Sequence, residues 1–133
     1  MADNLKQIGA DGERVARAHL ERLGWSIVAL NYRCPGGEMD IIAEAPADDG
    51  TTLVFVEVKT RRGGGHGSPI EAVDPRKIER LRAIARSFLS ARDAGGEEPA
   101  CRFDVAEVRQ GGDGLFAVQL HSGIQVDSAR AET

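Results

Sequence analysis

Three charged residues interrupt stretches of the sequence that otherwise resemble the core of a protein. Asp40 follows a glycine turn in "GGEMDII", and Glu57 and Lys59 lie inside the apolar run "LVFVEVKT". Charged side chains are almost never fully buried unless they are paired or bind a metal ion. Their positions therefore indicate either an internal ion pair or a site at which chemistry takes place.

Glu57 and Lys59 are expected to share one face of a β-strand. Side chains two residues apart point the same way, about 6 to 7 Å from each other along the strand. Leu53 and Phe55 precede them on that face, and the valines between them point to the other face. The interpretation without chemistry is an ion pair between Glu57 and Lys59 at the end of the strand. A buried pair often fails to recover its desolvation cost, which favours a functional site.

The preceding strand is expected to bring Asp40 towards Glu57. If residues 39–45 and 51–60 form a hairpin about "PADDG", the position opposite Asp40 falls near residues 57 to 59. Two carboxylates held together repel each other unless a cation lies between them. Mg²⁺ suits an all-oxygen site of one or two carboxylates and water. Lys59 could then contact a metal-bound water molecule or a substrate phosphate.

Two further acids are candidates for the same site. Glu38 shares the face of Asp40 if the strand begins early; otherwise it is a solvated turn residue. Glu13 borders the apolar face of the first predicted helix, beside Leu20, where it can reach a site on the sheet. Taken alone, Glu13 is an ordinary solvated helix acid.

The sequence predicts two helices and five strands in the order α-β-β-β-α-β-β. The first helix, residues 5 to 23, has one stripe of apolar and small residues and is capped by Gly24. Asp74 as N-cap and Pro75 as first helical residue begin the second helix. The predicted strands are residues 25–33, 38–45, 51–60, 101–109 and 114–124. The first three form an antiparallel meander within a mixed sheet flanked by helices, which defines an α/β protein.

The length of 133 residues predicts one domain over residues 1–125, followed by a flexible tail at 126–133. The net charge is −4, but residues 59 to 92 carry nine basic residues against three acids. A basic stripe on an acidic body can bind phosphate, because the local potential governs the docking face. The same charges also fit a solvated helix face.

Composition also limits where the protein is expected to act. The sequence has no run of 18 apolar residues, and "MADNLKQIG" has no signal-peptide pattern, so a cytoplasmic protein that does not enter the membrane is expected. Cys34 and Cys101 are far apart and form no CxxC motif, which argues against a zinc site. Geometry alone would allow them a disulfide, but a reducing cytosol favours free thiols.

An acid on the first helix, Asp40 at the start of one strand, Glu-x-Lys within the next and a basic helix after it resemble the PD-(D/E)xK nuclease superfamily. Within it, the chain resembles the YraN-like family of bacterial proteins. The matching stretches are "GERVARAHLERLGW", "NYRCPGGEMDII", "LVFVEVKTRR", "AVDPRKIERLRAIARSFL" and "RFDV", which cover about three quarters of the chain in the same order. Met39 stands where the superfamily motif has proline.

The resemblance implies a three-layer restriction-endonuclease-like core of the Holliday-junction-resolvase branch. It implies an endonuclease that depends on Mg²⁺ or Mn²⁺ and hydrolyses phosphodiester bonds in DNA, with branched or damaged DNA as candidate substrates. Asp40 and Glu57 would bind the metal ion, Lys59 would be the catalytic lysine, and Glu13 would be the additional catalytic acid of the first helix. Resolvase-like enzymes tend to be dimers because they cut symmetric sites, so a homodimer is one assembly to expect.

Five basic residues are predicted to contact the nucleic acid: Arg33, Arg61, Arg62, Lys77 and Arg80. Two other functions remain compatible with the sequence. The first is a non-catalytic module that binds nucleic acid or assists assembly while keeping the nuclease fold. The second is a structural subunit that uses the basic helix to contact an acidic protein.

Overall fold

The computed structural model of the protein describes residues 2–48, 50–62, 75–92 and 99–124. The predicted order of elements is confirmed. The elements are α1 (Ala2–Arg22), β1 (Ser26–Cys34), β2 (Gly37–Ala47), β3 (Gly50–Arg62), α2 (Pro75–Arg92), β4 (Ala100–Gln110) and β5 (Phe116–Ile124). The predictions for the Asp74 cap and for the tail at 126–133 concern positions outside the described residues.

The five strands form one mixed sheet in the order β1-β2-β3-β4-β5. The first three strands are the predicted antiparallel meander. β4 then lies parallel to β3, and β5 returns antiparallel to β4. Parallel neighbours cannot be joined by a tight turn, and the connection between β3 and β4 contains α2.

Each face of the sheet has its own helix and its own hydrophobic core. Ala16 and Leu20 of α1 pack with Val54 and Val56 on one face, and on the other face a second cluster joins α2 to the sheet. Leu53 and Phe55 belong to that second cluster, so the predicted alternation along β3 is confirmed. The members of this cluster that α2 contributes are Ile78, Leu81, Ile84, Ala85, Phe88 and Leu89. The layers are consistent with a restriction-endonuclease-like core.

The C-terminal end of α1 confirms one prediction and corrects another. Gly24 has a φ of +90°, and the backbone N–H groups of Gly24 and Trp25 donate to the carbonyls of Glu21 and Leu20, which forms a Schellman cap. Leu23, the last residue of the predicted helix, is 49% exposed, whereas Leu20 is fully buried. The helix ends at Arg22, so Leu23 no longer follows the helical periodicity. Among the described residues, no helix is long and apolar enough to cross a membrane.

A glycine allows α1 to approach β3 closely. Gly12 is buried, and a Cβ atom added to it would collide with the side chain of Thr60. Thr60 lies near the end of β3, two residues beyond Val58. The contact therefore places the residue after Gly12, Glu13, near that end of the strand.

A second pair of glycines brings the β1–β2 turn onto α2. A Cβ atom added to Gly36 would lie 2.8 Å from the Cβ atom of Ala83. Gly37 has a φ of +141°, and a Cβ atom there would lie 3.2 Å from carbons of both Arg80 and Ile84. The start of β2, which carries Asp40, is thereby positioned against α2.

We expect Gly12→Ala to lower the free energy of unfolding. Overpacking costs about 1 to 3 kcal/mol, which opposes the gain of about 1 kcal/mol that alanine brings to a helix. Urea denaturation measures the difference. Gly112→Ala is the control, because a Cβ atom there meets nothing within 4 Å. The loss should shrink in a Thr60→Ala background, and a stabilised Gly12→Ala protein would contradict the close approach of α1 to β3.

Candidate functional site

The hydrogen-bond ladder between β2 and β3 ends beside Asp40. The last pair on this side is Ile41 with Val56. Beyond it, the backbone N–H of Val58 donates to Oδ2 of Asp40 at 2.7 Å. The Asp40 carboxylate thus takes the place of a backbone partner from β2. This agrees with the prediction that Asp40 would lie opposite residues 57 to 59.

The electrostatic environment raises the pKa of Asp40. Burial of the carboxyl group is the largest cause, and the negative charges of Glu57 and Glu38 act in the same direction. The hydrogen bond from Val58 and the positive charge of Lys59 oppose the rise in the pKa without cancelling it. Asp40 is therefore close enough to both predicted partners, Glu57 and Lys59, for their charges to act on it.

Glu13 belongs to the same group of acids. Its pKa is raised by burial first, then by the charges of Asp40 and Glu38. The helix α1 and the strands β2 and β3 thus bring four carboxylates to one region: Glu13, Glu38, Asp40 and Glu57. We call these four residues the acidic cluster. The structure brings together Glu13, Asp40, Glu57 and Lys59; their catalytic roles remain predictions.

The ion-pair partner of Glu57 is Lys77. Nζ of Lys77, on the first turns of α2, lies 3.1 Å from Oε1 of Glu57, and both side chains are partly buried. In the described part of the chain, Glu57 has no ion pair with Lys59, so the alternative interpretation of an ion pair within β3 is not observed. Lys77 was predicted to contact nucleic acid, and the structure places it directly at the acidic cluster.

The other four residues predicted to contact nucleic acid are distributed over β1, β3 and α2. Arg33 forms a long ion pair with Glu38 across the β1–β2 pair, Nε to Oε1 at 3.7 Å, and both side chains are largely exposed. Arg80 is exposed beside Gly37. The side chain of Arg62 lies outside the described residues. Arg61 is partly buried next to an acid that the sequence analysis did not single out.

That acid is Glu107, and it is 1% exposed. Its carboxylate lies 2.7 Å from Nη2 of Arg109 and 3.3 Å from Nε2 of His121. Nε of Arg61 lies 3.4 Å away without hydrogen-bond geometry. The same signal that identified Glu57, an acid within the apolar alternation "RFDVAEV", could have identified Glu107.

Asp104, the other buried acid of β4, has a structural role. It is buried on the opposite face of β4 and is paired with Arg102, Nε to Oδ1 at 3.1 Å. It also accepts hydrogen bonds from the Ser122 hydroxyl and the Gly123 N–H, which join β4 to β5 where their register shifts. Asp104 therefore stabilises the sheet and takes no part in the acidic cluster.

The donors of the acidic cluster fit a hard divalent cation. Within residues 2–48, 50–62, 75–92 and 99–124, no three His, Cys, Asp or Glu side chains lie together in a way that could hold a metal ion. Mg²⁺ usually needs only one or two carboxylates, with water and substrate phosphates as its other ligands. Asp40 and Glu57 provide two carboxylates that repel each other, which a cation between them would relieve. Cys34 and Cys101 are free thiols, as predicted.

We expect Asp40→Asn to be at least as stable as the unchanged protein at neutral pH in the presence of EDTA. Because the folded-state pKa is raised, the folded protein binds more protons than the unfolded chain between the two pKa values. Stability contributed by Asp40 is therefore lost as pH rises through that window. Asparagine does not ionise, so the variant does not lose this stability as pH rises. Its side-chain oxygen can still accept the hydrogen bond from Val58.

The matched control is Asp104→Asn, which weakens a buried ion pair and should lose about 1 to 3 kcal/mol. Thermal melting from about pH 4 to 7 measures both variants across the range in which carboxyl groups titrate. Asp40→Asn should show a smaller fall in melting temperature with rising pH than the unchanged protein. An Asp40→Asn protein that is destabilised as much as Asp104→Asn would contradict the electrostatic description.

Comparison with known proteins finds close sequence relatives in several bacteria. A UPF0102 protein of Symbiobacterium thermophilum is 45% identical over 115 residues, which cover 86% of this chain and 92% of the relative. A UPF0102 protein of Mycolicibacterium smegmatis is 50% identical over 105 residues, which cover 79% of this chain and 82% of the relative.

Among solved structures, the chain is similar to SfsA of Pyrococcus furiosus in complex with Ca²⁺, with 15% identity and a TM-score of 0.38. The match covers 91% of this chain and 65% of that one. The model of the uncharacterised protein family UPF0102 matches residues 12–108, a span that contains the whole acidic cluster and Glu107. The chain therefore belongs to UPF0102, the YraN family to which its motifs pointed.

Proposed function

We propose that this protein is a nuclease that depends on a divalent metal ion and hydrolyses phosphodiester bonds in DNA. The observation that carries the proposal is the convergence of Asp40, Glu57 and Glu13 from three elements, with the charge of Lys59 acting on Asp40. A nuclease-like fold is consistent with the layers of the structure. Phosphodiester hydrolysis needs a positioned nucleophile and neutralisation of the charge that develops on the phosphate.

Asp40 and Glu57 are the residues that would hold Mg²⁺ or Mn²⁺. When bound, such an ion polarises a phosphate oxygen and lowers the pKa of its water ligand. The hydrogen bond from Val58 fixes one oxygen of Asp40 and leaves its second oxygen available as a ligand. Glu57 is fixed to the same part of the sheet by the pairing of β3 with β4.

Lys59 and Glu13 act beside these carboxylates. The Lys59 ammonium group, close to Asp40, can orient the attacking water or stabilise negative charge on the phosphate. Glu13 approaches from α1, on the far side of Asp40 from α2, because Gly12 lets the helix lie against Thr60. Its carboxylate would either hold a water molecule beside the ion or help to hold a second ion.

We expect cleavage of DNA in the presence of Mg²⁺ or Mn²⁺, tested on branched, duplex and single-stranded substrates. Glu57→Gln should reduce the rate at least about 100-fold, as the loss of one strong electrostatic contact at a reacting centre typically does. Glu44→Gln is the matched control, because Glu44 is also a β-strand acid paired with a basic residue of α2, Arg92, at 2.7 Å. Equal rates of DNA cleavage by the unchanged protein and by Glu57→Gln would refute the proposal.

We expect Lys77→Gln to bind Mn²⁺ more tightly than the unchanged protein. Lys77 occupies one oxygen of Glu57, so the metal ion has to compete with its ammonium group. The rise in melting temperature at increasing Mn²⁺ concentration measures the affinity. Arg80→Gln is the control, because it removes the same charge from the same helix at an exposed position. An equal change in both variants would show an effect of net charge alone.

The non-catalytic nucleic-acid-binding module is the second candidate function. The observation in its favour is the Glu57–Lys77 pair, which neutralises the carboxylate without any metal ion. Such a module would bind DNA while its melting temperature stays the same at every Mg²⁺ or Mn²⁺ concentration.

A further inference from the structure

Three basic side chains surround a single buried acid next to the proposed active site. We call Arg61, Glu107, Arg109 and His121 the Glu107 cluster. The three basic side chains are 31%, 31% and 15% exposed, whereas Glu107 is 1% exposed. The acid is therefore covered by its basic neighbours, and the neighbours reach the surface.

The charge of this cluster exceeds what the buried acid requires. A buried carboxylate has to be paired, and one cation is enough for that. The cluster contains two guanidinium groups, those of Arg61 and Arg109. Each guanidinium group has five N–H donors, and Glu107 accepts a hydrogen bond from Arg109 through Nη2 alone. Nε of Arg61 is buried, but the Arg61 side chain as a whole is 31% exposed. Donors and net positive charge thus remain for an anion outside the protein.

The register of the sheet places the cluster beside Lys59. In the parallel pair of β3 and β4, Lys59 is the partner of Glu107, and Arg61 is the partner of Arg109. Neighbouring strands are about 4.8 Å apart, so these side chains are adjacent on one face. The apolar residues Phe55 and Phe103, which α2 packs against, lie on the same face towards the other end of the strands. A row of positive charge therefore runs from Lys59 and Arg61 to Arg109 on β4, with His121 of β5 beside it.

The surface continues past Arg109 towards the β4–β5 turn. A shallow depression there is lined by Arg109, Gln110, Phe116, Ala117 and the turn residues between them. Phe116 is the one described aromatic residue that lines it, and its ring packs in part against the core cluster under α1. Trp25 is buried under Arg102 and Tyr32 packs edge-on against Phe88, so the described aromatic side chains form no row of rings there. Stacking on aromatic side chains is how proteins hold single strands.

We propose that Arg61, Arg109 and His121, positioned by Glu107, form a phosphate-binding surface for a duplex segment of DNA adjacent to the acidic cluster. The inference rests on the proposed function for the identity of its ligand. Guanidinium groups bind phosphate oxygens through paired hydrogen bonds, which fix the position of a duplex without reading its sequence. A duplex held here places its backbone next to Lys59.

The test is DNA binding by the full chain in EDTA, with a fluorescently labelled duplex at several salt concentrations. Each phosphate contact contributes about 0.9 to the salt slope for duplex DNA, which is about eightfold in affinity at 0.1 M salt. We expect Arg61→Gln and Arg109→Gln each to show losses of this size. Arg92→Gln is the control, because Arg92 has a similar exposure, 32%, and a similar ion pair, with Glu44, away from this surface. It should bind with nearly the original slope.

Retention of the original slope and affinity by both cluster variants would overturn the inference, as would failure of the unchanged protein to bind duplex DNA. A protein that binds duplex DNA in EDTA but cuts no substrate with Mg²⁺ or Mn²⁺ would refute the nuclease and leave the surface intact. If a glutamine variant does not fold, titration of the ¹⁵N-labelled unchanged protein with the duplex replaces it. The Nε–H signals of Arg61 and Arg109 should then shift and that of Arg92 should not; unchanged signals for all three would also refute the surface.

Discussion

The candidate site depends on the point at which β2 and β3 stop pairing. Up to Ile41 and Val56 the strands share an ordinary antiparallel ladder. After that point the Val58 N–H would lack a partner on this side, and the Asp40 carboxylate supplies one. An unpaired backbone donor inside a protein is costly, so this hydrogen bond both completes the sheet and holds an acid at its opening. The other acids of the cluster are arranged around that fixed position.

The arrangement places like charges close together at a cost to the folded state. Burial and neighbouring acids raise the pKa of both Asp40 and Glu13, which means that their ionised forms are disfavoured where they lie. The opposing positive charges come from Lys59 within β3 and from Lys77 of α2. By contrast, the buried acids of β4, Asp104 and Glu107, are both closely paired with arginine. The negative charge of the acidic cluster is therefore only partly compensated, whereas the charges of Asp104 and Glu107 are neutralised by arginine.

Patterns local to each element predicted most of this fold. Alternation along β3 placed Leu53 and Phe55 opposite the valines, and the structure agrees because a two-residue period depends only on the strand itself. The proximity of Asp40 to Glu57 could be predicted because the turn that joins β2 to β3 is short. The Gly24 cap could be predicted for the same reason, because the hydrogen bonds that cap a helix involve only the last turn of that helix.

What the sequence did not show depends on contacts between distant parts of the chain. The pairing of Glu57 with Lys77 requires the position of α2 over the sheet, and the approach of Arg61 to Glu107 requires the parallel register of β3 and β4. Neither distance can be read from spacing along the chain. The exposure of Leu23 was not predicted, because α1 ends at Arg22, one residue before the predicted end of the helix.

The parallel pairing of β3 with β4 has a consequence for the order in which the molecule folds. Glu13, Asp40 and Glu57 all come from the continuous segment formed by α1 and the β1–β3 meander, whose strands are joined by short turns. Glu107 reaches its position beside Lys59 only when β4 pairs with β3, after the crossover through α2. Closing that longer loop costs more chain entropy, and non-local pairing forms more slowly than local hairpins. Chain connectivity thus favours assembly of the acids before that of the basic surface beside them.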